Sequence, residues 1–113
     1  MTMSNSNSSN GSNGKAMTVK DFDRRFTSAM VSLTNDMHRK MAENLYKGDW
    51  KNASLNYLLM RVHEEVRELQ HELEVLALPS QKDSNRTEEE VREAARLEAA
   101  DVANIVMMIH DNL

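Results

Sequence analysis

The sequence predicts an all-α fold, and three observations carry that expectation. Gly and Pro are scarce, at three and one in 113 residues, and aromatics make up only 4%, whereas Ala, Leu, Met, Glu and Arg, the strong helix formers, are abundant. Apolar residues recur at steps of three and four over long stretches, the period of one helix face. Stop signals then cut the periodic stretches into three segments of about 25 residues.

The opening "MTMSNSNSSNGSNG" is almost entirely Ser, Asn and Gly, which cannot bury enough surface to offset chain entropy, so residues 1–16 read as a disordered tail ahead of one domain over 17–113. From Val19, the positions Phe22, Phe26, Met30, Leu33, Met37, Met41 and Leu45 define a first amphipathic helix that stops at "KGDW", where Gly48 supplies the break. A second stripe, Leu55, Leu58, Val62, Val66, Leu69, Leu73 and Leu76, predicts a helix from about Ala53 to Ala77, ended by Pro79 and the polar "SQKDSNR". Thr87, with Glu90 three residues on, is the signature of a capping box opening a third helix that runs to the end. Three such helices bury a small core by themselves, so an antiparallel bundle completed by homo-oligomerisation is expected, a homodimer or homotetramer. The nine Met fall mostly on the apolar stripes and read as flexible core filler.

Several function classes drop out. No Cys is present, which rules out disulfides and thiolate metal sites and suits a reducing cytoplasm. No apolar run reaches the roughly 20 residues of a membrane span. A net charge of −4 with scattered basic residues leaves no nucleic-acid footprint. A small molecule or another protein is the expected partner.

The chemistry sits in four acids. On the third helix, Val91, Ala94, Glu98, Asp101, Ile105 and Met108 continue one stripe, which puts Glu98 and Asp101 on the inward face. On the second helix, Glu65 and Glu68 stand three apart beside the Val62, Val66, Leu69 stripe. In an antiparallel hairpin Glu68 and Glu98 both lie roughly 14 Å from the turn at 1.5 Å per residue, and Glu65 and Asp101 are level one turn further along. Four like charges converging between packed helices are repulsive unless protonated or neutralised. A divalent cation resolves this, and oxygen-only ligands select a hard ion, Mg²⁺ or Mn²⁺. Other acids, such as Glu64, Glu72, Glu74 and Glu88 to Glu90, read as solvated faces.

"HEEVRELQHELE", followed thirty residues later by "EAADVANIVMMIHD", resembles the paired Glu-x-x-Glu and Glu-x-x-Asp motifs of the MazG-like, all-α nucleoside triphosphate pyrophosphatase superfamily. "KMAENLYKGDWKNASLNYLLMRVHEEVREL" is similar to the small phage-type members, in which a Lys-Gly-x-Trp stretch precedes the first acidic helix. The likeness covers about Met37 to Asp111. It departs where larger relatives continue with another helix, a place a partner protomer would fill. The resemblance implies Mg²⁺-dependent hydrolysis of a nucleoside triphosphate to the monophosphate and pyrophosphate, with Mn²⁺ able to substitute and a purine deoxynucleotide such as dGTP or dATP as substrate. It implies metal ligation by Glu65, Glu68, Glu98 and Asp101, and a catalytic role for Glu65 with Glu64 as supporting group or general base.

Cationic and aromatic groups must come from elsewhere in the chain. Lys47, Lys51 and Arg61 are candidates for phosphate contacts, Trp50 for base stacking, and Asn104 for a phosphate or the sugar. Each has a plainer alternative: an i,i+4 ion pair to Glu65 for Arg61, interface packing for Trp50, and pairing across the bundle for Asn104. Two further function classes stay open. Glu68-Leu-Gln-His71 is a Glu-x-x-His step of the ferritin-like di-iron kind, although the partner motif ends in Asp101. A non-catalytic helical oligomer or interaction module is the other.

Overall fold

The computed structural model describes residues 15–78 and 85–113. Among them there is no strand, and regular structure consists of three long helices and two short 3₁₀ turns: α1 (Val19–Glu43), turns at Leu45–Lys47 and Trp50–Asn52, α2 (Leu55–Ala77) and α3 (Glu88–Asp111). The expected disordered tail and the Pro79 turn lie largely outside the described residues. No described helix is long and apolar enough to cross a membrane.

The chain divides into two compact units, one through Val31 and one from Ser32 onward. In the first, the Phe22 and Phe26 rings stack at 5.6 Å, one turn apart, and both stay about half exposed. In the second, the remainder of α1 presents half-buried Leu33, Met37 and Met41. α1 stops at Glu43, short of Leu45. Asn44 caps back through its side chain to the Lys40 carbonyl at 2.9 Å, and Leu45 is left 73% exposed.

α2 begins two residues later than the sequence suggests because Ser54 takes the N-cap, its hydroxyl accepting from the Tyr57 amide. α3 begins as expected: the Thr87 hydroxyl accepts from the Glu90 amide at 3.1 Å, and the Glu90 carboxylate accepts from the Thr87 amide at 2.8 Å. α2 and α3 pack side by side, and partner numbers fall as α2 numbers rise. Trp50, just before α2, bonds to Asp111; Glu65 stands with Glu98 and Asp101; Glu72 pairs with Arg86.

The core between them is Leu58, Val75, Val91, Ala95, Ala100 and Ile105, with Glu65 and Asn104 buried among these apolar side chains. This corrects the α2 stripe. Leu58 is inside as expected, but Leu55, Val66 and Leu73 are 44%, 42% and 50% exposed, because the face turned to α3 runs through Glu65 and Val75 instead.

Candidate metal and ligand site

α2 and α3 bring three carboxylates to one point. Glu65, Glu98 and Asp101 each offer an oxygen within 4.8 Å of the others, and Glu65 is 6% exposed. Glu68, one turn along α2 from Glu65, is exposed at the edge of this group and acts on it through its charge. Three of the four acids named from the sequence therefore meet, with the fourth flanking them.

Their electrostatics record the cost of that meeting. Desolvation, then the neighbouring Glu68 and Asp101 charges, pushes the Glu98 carboxyl up to about 7. Burial raises Glu65 as well, helped by Glu68 and Asp101 and opposed by Arg61. Asp101 is raised by burial against the pull of Lys40, whose ammonium lies 3.6 Å away. Lys40 itself is lifted by Asp101 and Glu43 despite its own burial. Two carboxylate oxygens, Glu65 Oε1 and Glu98 Oε1, are buried with no hydrogen-bond partner.

A hard divalent cation suits this donor set. Carboxylate oxygens are the ligands such an ion prefers, and Glu65, Glu98 and Asp101 each bring one to within 4.8 Å of the others. Buried carboxylate oxygens without a partner, as on Glu65 and Glu98, are groups that such an ion satisfies.

A cavity of about 550 Å³ opens beside the acids. Its wall includes Lys47, Trp50, Arg61, Glu64, Glu65, Asp101 and Asn104, with Met41, Tyr57 and Met108 supplying apolar surface. A second opening of about 430 Å³ is lined by Glu64, Glu68, His71 and Glu98, so the acidic group is reached from two sides that share Glu64.

The positions named from the sequence have specific partners. Arg61 donates to both Glu64 and Glu65, the latter at 2.9 Å, so its i,i+4 ion pair is formed while the residue also borders the cavity. Lys47 is exposed and lies over the Tyr46 ring at 5.9 Å. Lys51 is not in the cavity wall; its ammonium binds the Asp111 carboxylate at 3.1 Å. Trp50 donates its indole N–H to Asp111 at 3.0 Å. The Asn104 amide donates to the Met37 carbonyl at 3.0 Å, which ties α3 to α1 and leaves Asn104 Oδ1 buried and unpartnered.

Two residues were missed by the sequence reading. Lys40 is a lysine set between Met37 and Met41 on an otherwise apolar stripe, and that misfit was its signal. Asp111 holds the Trp50–Lys51 turn from the end of α3, for which the sequence carries no local sign. The turn itself depends on Gly48, whose φ of 95° and ψ of −174° lie in a region essentially reserved for glycine.

No family model matches the chain, and no curated protein and no solved structure matches it.

Proposed function

We propose that this chain is a Mg²⁺-dependent nucleoside triphosphate pyrophosphohydrolase, cleaving a deoxynucleoside triphosphate, with a purine such as dGTP or dATP favoured, to its monophosphate and pyrophosphate. The observation that carries the reading is the trio of buried Glu65 and half-buried Glu98 and Asp101, with two unpartnered oxygens, beside a cavity that also presents an aromatic ring and cations. The likeness of "HEEVREL" and "EAADVAN" to the paired MazG-like motifs supports it.

In this reading Glu65, Glu98 and Asp101 hold the cation and Glu68 completes the set from the rim. A Mg²⁺ held there, or Mn²⁺ in its place, would supply neutralising charge for the triphosphate and lower the pKa of an attacking water. Glu64, which lines both openings, is placed to accept the proton of a water that adds to the α-phosphorus while the α–β anhydride bond breaks and pyrophosphate leaves. Arg61 fixes the directions of Glu64 and Glu65 and faces the departing phosphates. Lys47 reaches the same charge from the rim. Trp50 offers its face to the base, and Asp111 sets the angle of the indole. Met41, Ile105 and Met108 make part of the same wall apolar.

We also read α2 and α3 as an antiparallel hairpin completed by a second copy, working in the cytoplasm. The di-iron alternative gains no support: the one group of metal-capable side chains among the described residues holds three carboxylates and no histidine. The test is pyrophosphate release with Mg²⁺ across a panel of canonical and modified nucleotides. Release from at least one, lost in Glu65→Ala, is expected. No release from any, or undiminished release in the variant, returns the chain to the class of non-catalytic helical oligomers.

A further inference from the structure

α2 has a second apolar face that α3 leaves uncovered. Leu59, Val66 and Leu73 are seven residues apart and stay 52%, 42% and 50% exposed. Beside them Val62, Leu69 and Leu76, again seven apart, are half-buried. Two apolar rows separated by three and four residues form a coiled-coil seam, with the first row at a positions and the second at d. Leu58, Glu65 and Val75, the buried residues of α2, fall outside both rows. The seam is therefore additional to the intramolecular core.

We infer that this seam pairs with the same seam of a second copy, α2 against α2 in antiparallel sense. The inference rests on the self-association proposed above and adds its location and register. In antiparallel coiled coils a positions meet d positions. One register makes every layer of the seam complete: Leu59 opposite Leu76 of the second copy, Val62 opposite Leu73, and Val66 opposite Leu69, each twice. The two-fold axis then passes between Val66 and Leu69, so the contact is self-complementary and closed.

Charge also admits a second copy. The flank on the open side is Asn56, His63, Gln70 and Ala77, and in this register His63 lies near Gln70 and Asn56 near Ala77 of the partner. A chain of net charge −4 thus meets itself with no carboxylates opposed along that edge. On the other flank, Glu65 and Glu72 are already held by Arg61 and Arg86. The segments outside the described residues are poor occupants: residues 1–14 contain two Met and no other large apolar side chain, and 79–84 are "PSQKDS". An exposed three-heptad apolar seam is more than a lone soluble helix carries without a partner.

The test is solution mass by sedimentation or light scattering. The wild-type chain should run at twice 12.9 kDa. Val66→Lys, which brings like charges together at the axis, should halve the mass while helical circular dichroism and the Mg²⁺-induced rise in melting temperature persist. Leu113→Lys, an exposed apolar residue off the seam, should leave the mass unchanged. A wild-type chain that is monomeric at all concentrations up to millimolar overturns self-association and the seam together. A dimer that Val66→Lys does not dissociate overturns the seam alone. Should Val66→Lys fail to fold, the Val66→Cys, Leu69→Cys double variant decides, because the chain has no other cysteine. Oxidation to a covalent, reducible dimer supports the register, and its failure rejects it.

Discussion

Replacing Glu98 by Gln should stabilise the protein in the absence of metal and weaken its response to metal. The substitution keeps the shape of the side chain and removes one of the crowded charges. Glu98 ionises near 7 in the folded chain against an ordinary value of 4.5. The folded pKa is the raised one, so the stability it contributes is fully present below about 4.5 and is lost as pH climbs through about 7. At about 1.4 kcal/mol per pH unit the interval bounds the penalty at roughly 3 kcal/mol, and partial access of solvent reduces it to about 1–2. In a folded unit of this size that is a rise of about 5–15 °C in melting temperature at pH 8 in EDTA. Saturating Mg²⁺ should reverse the order, since an ion at 100 times its dissociation constant stabilises the wild-type chain by about 2.7 kcal/mol. The assay is thermal unfolding from pH 4.5 to 8, with EDTA and with Mg²⁺. Glu98→Gln melting below wild type at pH 8 in EDTA, or an equal Mg²⁺ response in both chains, refutes the electrostatic reasoning.

Lys40→Met removes the cation that partly offsets Asp101 at 3.6 Å, and should lower metal-free stability at pH 8 by about 1 kcal/mol, with Mg²⁺ recovering most of the loss; a calorimetric melt checks both. Gly48→Ala meets no atom within 4 Å, so its expected cost of about 1–3 kcal/mol is purely conformational, and should appear as a lower melting temperature with a raised KM. Asp111→Ala releases the sole tryptophan from its indole hydrogen bond. Trp50 emission should shift to the red, and KM should rise more than kcat falls; unchanged emission would contradict the positioning role given to Asp111.

Much of the fold was legible because local signals agreed. Thr87 and Glu90 form the capping box their spacing announces, and Gly48 breaks the chain where a positive φ is required. Glu65, Glu98 and Asp101 were legible as neighbours because a helix rises uniformly, so equal distances from a turn mean equal height. What helical period alone does not settle is which of two apolar faces packs inside the chain. α2 turns Leu58, Glu65 and Val75 toward α3 and a heptad seam away from it, and the stripe read from the sequence overlaps mostly with the seam. That overlap put Val66 and Leu73 in the expected core although they lie outside it. Lys51 was misdirected for another reason: its partner Asp111 is 60 residues away, and no sequence pattern links them.

The phosphorus spectrum of a purine deoxynucleoside triphosphate incubated with the full chain and Mg²⁺ tests the central claim most directly. Hydrolysis as proposed yields the monophosphate and pyrophosphate in equal amounts, with none formed by Glu98→Gln or in EDTA. A spectrum showing the diphosphate and orthophosphate, or the intact triphosphate alone across the nucleotide panel, contradicts it.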